Sequence, residues 1–239
     1  MSFERRDMLI AGAALMLGAG GMAFAFTAGG AGGTAGTEKI IRNYIMAHPE
    51  ILPEAMAALQ SRETKKLVDA NRTRIETPFG GAWVGAKDGD VTLVEFFDYA
   101  CGYCRAALPD IDRLLAEDKK LKIVYRELPI LGEGSDMAAR ASLSVAQSGG
   151  NYTAFHRALY AAGRPDEQSI SAALAQSGTK PEAVTNDKIA TEIAANLDLQ
   201  RQLQLTGTPS WIVGDTVLNG AVGYDELKKA IAKARETRG

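Results

Sequence analysis

Cysteine and histidine are scarce in this chain: Cys101 and Cys104 are its only thiols, and His48 and His156 its only imidazoles, in 239 residues. A structural zinc site takes four Cys or His ligands. His48 lies on a charged N-terminal arm and His156 on an amphipathic helical stretch, which leaves the pair of cysteines half a site at best. As a staple the pair is also poor, because a bond between Cys101 and Cys104 closes a very short loop and removes little denatured-state entropy. An excess of one charge is missing too. Lys and Arg number 27 against 29 Asp and Glu, a net charge of -2, and the two signs are interleaved. Nothing electrostatic therefore points to nucleic acid. What the chain does have is 46% hydrophobic residues, ample for a buried core.

The N-terminus is a different material. "MSFERRDM" is followed by the uncharged "LIAGAALMLGAGGMAFAF", with small residues at Ala23 and Ala25. Residues 1–25 read as an export signal cut near Ala25. Arg5 and Arg6 ahead of the apolar run fit the twin-arginine variant. The alternative is a retained membrane anchor, since the run approaches the ~20 residues that span a bilayer. Residues 26–37 are too Gly-rich to fold and read as a tether. Export places the protein in the periplasm, where disulfides persist and a lone cysteine pair is oxidisable.

Residues 38–75 read as a helical arm. Ile51, Leu52, Ala55, Met56 and Leu59 form an amphipathic stripe, while "QSRETKKLVDANRTR" beyond it is mostly polar and a poor candidate for core. "TPFGGAWVGAKDGD" then reads as a connection into the main domain, residues 76–239. There "VTLVEFF" and "LKIVYREL" read as buried strands flanking a helix that Pro109 interrupts, a βαβ unit with parallel strands. A helical insertion over about 135–205 is broken at "SGGN", "GRPD" and "SGTKP" into four or five helices. "SWIVGDTVLNG" forms a hairpin around Gly214 and Asp215, and a last helix carries acids early and lysines late. The fold class is α/β: a βαβ…ββα chain with an inserted helical region and an N-terminal arm.

The cysteines sit at the strand-to-helix junction. Cys101 falls at or just before the first helical turn, where free N–H groups and the helix dipole stabilise an anion. Such thiolates have pKa values lowered to roughly 3.5–7.5, and the thiolate is the form that attacks disulfides. Cys104, one turn along and more buried, is placed to resolve a mixed disulfide formed at Cys101. A C-x-x-C after a strand and opening a βαβ unit is much more specific than C-x-x-C alone. Glu95 lies inside the apolar strand, where burial raises a carboxyl pKa and lets it pass a proton to or from Cys104. A solvent-facing Glu95 on a half-exposed strand is the competing reading. Pro209, after Thr208, opens a later strand; a cis bond there would turn the Thr208 backbone toward a bound extended chain, and a trans one would be ordinary.

"LVEFFDYACGYC", the helical insertion and the "TGTPSWIV" return together resemble the DsbA family of thioredoxin-fold thiol–disulfide oxidoreductases, in particular its ScsC-like branch. The resemblance spans about Glu38 to Lys233. It implies the thioredoxin fold, Cys101 as nucleophile, Cys104 as resolving thiol, Glu95 as buried acid, and Pro209 as a cis-proline after Thr208. It implies no cofactor and no metal, cysteine-containing exported clients, and a membrane redox partner. Between the cysteines "GY" replaces the Pro-His pair of DsbA itself, which weakens the case for a strongly oxidising site. Potentials of such dithiols span roughly 7 kcal/mol, so two intervening residues do not fix oxidase or isomerase direction. A non-catalytic binding module on the same fold, of metal or chaperone type, is the alternative function. The Ile51–Leu59 stripe either packs on its own domain or joins copies of the chain through residues 38–75. The resemblance to branches with oligomerising arms favours the second, which suits isomerase work.

Overall fold

The computed structural model describes residues 34–179 and 187–238. Residues 1–25, 26–33 and Lys180–Pro181 of the last insertion break lie outside them. The chain divides into two compact units, one ending at Leu59 and one running from Gln60 to Gly239.

In the first unit, residues 34–47 are helical (α1), including the last four of the stretch read as a tether, and α2 (Ile51–Glu76) begins. Large apolar side chains are exposed along this unit: Ile40, Ile41, Tyr44, Met46, Leu52, Met56 and Leu59.

The second unit is built on a five-stranded sheet in the order β1-β3-β2-β4-β5. β2 (Val91–Phe97) and β3 (Leu121–Glu127) run parallel, joined by α3 (Gly102–Glu117). That is the expected βαβ unit. β2 is rich in β-branched and aromatic residues, which favour a pleated buried surface, and all seven are buried. β4 (Ser210–Val213) and β5 (Thr216–Asn219) form the expected hairpin. Gly214 takes φ +58 at the first position of its two-residue turn, where glycine is favoured.

Alternation divides the core. Leu93, Phe97, Ile123, Tyr125 and Trp211 face one way, against α3, α8 (Tyr224–Arg238) and the helices α4 (Glu133–Ser148), α5 (Tyr152–Ala162) and α6 (Glu167–Ser177). Val94, Phe96, Val124 and Ile212 face the other way, against Val68 and Ile75 of α2 and Leu199 at the end of α7 (Asp187–Gln202). Period-2 side-chain alternation is what gives one sheet two such cores.

The insertion breaks are helix starts with identifiable caps. The Asn151 side chain accepts from Ala154 N at 3.0 Å. Asp166 and Ser169 form a reciprocal capping box at the start of α6.

Three expectations are corrected. The connection before β2 contains a strand, β1 (Trp83–Gly85), antiparallel to β3; a three-residue run is too short to show alternation. α3 runs unbroken through Pro109. The polar end of the arm is part of the core: Val68 and Ile75 are buried, so the compact unit begins at Gln60 rather than at 76. Two apolar residues seven apart on a charged helix bury a narrow seam that counting polar residues overlooks.

Candidate active site

The end of β2 and the start of α3 set the site. Asp98 follows the strand, and its carbonyl accepts from Cys101 N at 3.0 Å, turning the chain into the helix. Cys101 occupies the N-cap with extended backbone, φ -80 and ψ 115. The residue is 6% exposed, and its thiol donates to Thr208 O at 3.2 Å. Cys104, one turn on, is wholly buried. Both are free thiols. Burial, and after it the charge of Glu95, pushes the Cys104 thiol far above its ordinary value.

Glu95 is buried in the middle of the sheet, paired across to Tyr125 of β3 and Trp211 of β4. The exposed-strand reading of this residue is therefore overturned. Burial, and then the charge of Cys101, raises its carboxyl well above the usual range. The two buried groups are coupled: the charge of Glu95 is the second cause, after burial, that raises the Cys104 thiol.

The Thr208–Pro209 bond is cis. Its loop is braced by residues of β5 and beyond. Asn219 Oδ1 accepts from Thr206 N at 3.1 Å, and Ser210 Oγ lies 2.7 Å from Gly207 O and 3.0 Å from the same Asn219 oxygen. Gly220 N donates to Pro209 O at 2.8 Å. Cys101 at the end of the central strand β2 and Thr208 at the entrance to its neighbour β4 thus meet, with Cys104 one helical turn on and Pro209 next to Thr208.

Residues outside the predicted set complete the surroundings. Asp98 is buried, and its carboxylate accepts from Ala100 N at 2.8 Å, Ile130 N at 2.9 Å and Leu131 N at 3.0 Å. A charged residue closing an apolar strand three positions before a cysteine was the available signal. Beneath lies an aromatic cluster of Phe97, Tyr99, Tyr125, Tyr152, Phe155 and Tyr160 around His156. The Tyr99 hydroxyl bonds Ser142 Oγ at 2.9 Å and His156 Nδ1 at 3.1 Å. Burial, helped by the Arg157 charge, lowers His156 to about 3, so its ring is neutral. Glu127 is a second buried carboxyl raised well above its usual range by burial.

In the compact unit the large exposed apolar side chains are Leu67, Tyr103, Ile130 and Leu131 among the described residues. Tyr103 stands between the two cysteines, and Ile130 and Leu131 are the residues bonded to Asp98. The exposed apolar residues of this unit thus include the one between the two cysteines and the two whose N–H groups bond the Asp98 carboxylate.

Residues 92–232, more than half of the chain, match the DSBA-like thioredoxin domain. Residues 38–66 match the copper resistance protein ScsC N-terminal domain. Disulfide bond formation protein D of Bacillus subtilis is 28% identical over 166 residues, covering 63% of this chain and 75% of that protein. A thioredoxin-like oxidoreductase from Silicibacter pomeroyi is 38% identical with a TM-score of 0.65, over 70% of this chain and 98% of its own. Proteus mirabilis ScsC in a transitional conformation is 29% identical with a TM-score of 0.66, over 84% of this chain and 94% of its own. The chain belongs to the DSBA-like thioredoxin family and is a thiol–disulfide oxidoreductase of the DsbA and ScsC type.

Proposed function

We propose that this protein is exported to the periplasm and exchanges disulfides with folding proteins there, with Cys101 as nucleophile and Cys104 as resolving thiol. The observation that carries this reading is the pairing of Cys101, at the helix start and facing Thr208 O at 3.2 Å, with a wholly buried Cys104 behind it. One thiol is presented and the other is held in reserve.

In the reduced protein the Cys101 thiolate attacks one sulfur of a client disulfide. The client S–S bond breaks, a mixed disulfide forms, and the second client sulfur leaves as thiolate. For isomerisation that client thiolate, or another, attacks the mixed disulfide and releases Cys101, with no net electron transfer. If Cys104 attacks instead, the client leaves reduced and Cys101–Cys104 becomes a disulfide, two electrons having passed to the client. Oxidation runs this backwards: a client thiolate opens the Cys101–Cys104 bond at Cys101, and Cys104 leaves as a thiolate that must take a proton. Glu95, protonated and beneath it, is the donor. Each oxidising turnover leaves two thiols, so the oxidase direction needs a membrane redox partner that accepts two electrons.

The arm favours isomerisation. Its exposed Leu52, Met56 and Leu59 and the match of residues 38–66 to the ScsC N-terminal domain support association of copies, which would hold several Cys101 sites around one client. Two assays test the reading: refolding of a scrambled-disulfide protein and oxidation of the same protein reduced, each against Cys101→Ser. Faster refolding than oxidation, both lost in Cys101→Ser, supports it; activity surviving that substitution overturns it. Deleting residues 38–59 should give a monomer by light scattering. Extending the deletion to 75 would strip Val68 and Ile75 from the core.

A further inference from the structure

The loop between β3 and α4 has no regular secondary structure, yet Ile130 and Leu131 are bound to the cysteine loop. A single buried side chain makes the connection. Asp98 Oδ2 accepts from both of their N–H groups, at 2.9 and 3.0 Å, while Oδ1 accepts from Ala100 N at 2.8 Å. The Asp98 carbonyl takes two more bonds, from Cys101 N at 3.0 Å and from the Tyr160 hydroxyl at 3.2 Å. One residue thus ties three things: the backbone that delivers Cys101, the loop opposite, and the aromatic floor. Ile130 and Leu131 are 39% and 46% exposed, so the loop presents apolar surface instead of burying it.

We propose that Asp98 is a positioning residue that fixes the apolar Ile130–Leu131 wall relative to Cys101, making the site selective for client cysteines flanked by an apolar side chain. This rests on the exchange of disulfides at Cys101 proposed above. A wall held by charge-assisted bonds loses no freedom when a client side chain settles on it, so the apolar contact is gained in full. Without the tether the loop must be ordered at each encounter.

Asp98→Asn keeps the shape but turns an amide N–H₂ toward backbone N–H donors, so that one side of the tether fails. The test measures reduction of three disulfides by the reduced full-length protein: glutathione disulfide, and two peptides each carrying one cysteine as its glutathione mixed disulfide, with leucine or serine beside it. The wild-type protein is expected to prefer the leucine peptide roughly tenfold in kcat/KM, the scale of one buried aliphatic side chain. Asp98→Asn and the surface pair Ile130→Ser/Leu131→Ser are each expected to remove that preference through KM. The readout is the ratio of leucine to serine rates, with glutathione disulfide as the reference that carries no large apolar group; a general loss of exchange in a variant lowers all three rates together and leaves that ratio unmoved. A leucine preference that survives in Asp98→Asn overturns the proposal, as does its absence from the wild-type protein. Failure of the wild-type protein to reduce any of the three would instead sink the exchange reading itself. Amide hydrogen exchange covers the case in which Asp98→Asn does not fold: Ile130 and Leu131 should be protected in the wild-type protein, and free exchange there also overturns the tether.

Discussion

The Cys101 thiol and the Thr208 carbonyl, 107 positions apart in the chain, meet at 3.2 Å. The first is delivered by the end of β2 and the second by the loop entering β4, and those strands are neighbours in the sheet. The contact is therefore a product of sheet order. It leaves a backbone acceptor beside the Cys101 sulfur, while Cys104 is wholly buried.

The asymmetry of the two thiols sets the first prediction. Cys104→Ser removes the internal attacker but leaves Cys101 presented, so mixed disulfides with clients should accumulate. Cys101→Ser should accumulate none. Non-reducing gels of the two variants, in the reduced state, after incubation with a scrambled-disulfide client separate the outcomes. Equal trapping by both variants would contradict the assigned roles.

Glu95 gives a prediction with a definite sign. Its folded-state carboxyl is held well above the ordinary 4.5 by burial and then by Cys101. Above pH 4.5 the unfolded carboxyl ionises while the folded one keeps its proton, so stability is lost as pH rises, by up to about 1.4 kcal/mol per unit. Glu95→Gln removes that loss. The variant should gain stability relative to the wild-type protein as pH rises from 5 to 8, and release of Cys104 during client oxidation should slow roughly a hundredfold. Urea midpoints at pH 5 and 8, with stopped-flow oxidation, check both. A constant stability difference between those pH values would count against it.

How much of this was legible beforehand differs residue by residue. The βαβ unit, the hairpin and the burial of Glu95 were readable because β2 and β3 are dense apolar runs and the turn carries Gly214. Cys101 and Cys104 declared themselves by rarity and by place. β1 was lost because three residues bear no period. Val68 and Ile75 were lost because their neighbours on α2 are charged. Asp98 could not be assigned a role, since its partners Ile130 and Leu131 lie more than thirty residues downstream and bond through backbone N–H groups that any sequence would offer.

His156 carries the opposite pH sign. Its ring is lowered from 6.5 to about 3, mainly by burial, and Nδ1 is bonded to Tyr99. Below pH 6.5 the unfolded imidazole takes a proton that the folded one refuses, so stability falls as pH falls, by up to about 1.4 kcal/mol per unit toward pH 3. Between pH 6.5 and 4.5 this opposes the contributions of Glu95 and Glu127. His156→Phe should be less stable than the wild-type protein at pH 7, having lost the Tyr99 bond, with the deficit shrinking as pH drops to 5. Thermal unfolding at pH 7, 6 and 5 measures it; a deficit that grows on acidification would refute the assignment.

Arg126 supplies the last prediction. On β3, facing α2 and α7, it has a side chain only 5% exposed that pairs with Glu192. It donates through Nε to Ile75 O at 3.2 Å, through Nη2 to Thr77 O at 2.5 Å, and to the Arg74 carbonyl. These carbonyls belong to the C-terminal end of α2 and the residue just past it, where helical carbonyls lack intrahelical partners. One guanidinium thus satisfies them and fastens α2 to the sheet, where Val68 and Ile75 complete the core. Arg126→Met fills the space but abandons both the carbonyls and Glu192, and should cost about 3–5 kcal/mol. Arg126→Lys keeps the charge without the planar fork and should recover only part of that. Because the cysteines lie beyond these contacts, exchange with glutathione disulfide at 25 °C should persist in whatever fraction stays folded. Urea unfolding of the two variants beside the wild-type protein decides the point: Met and Lys variants equal to one another would mean that the charge contributes nothing, and a loss below about 1 kcal/mol in both would mean that Arg126 does not hold α2 in place.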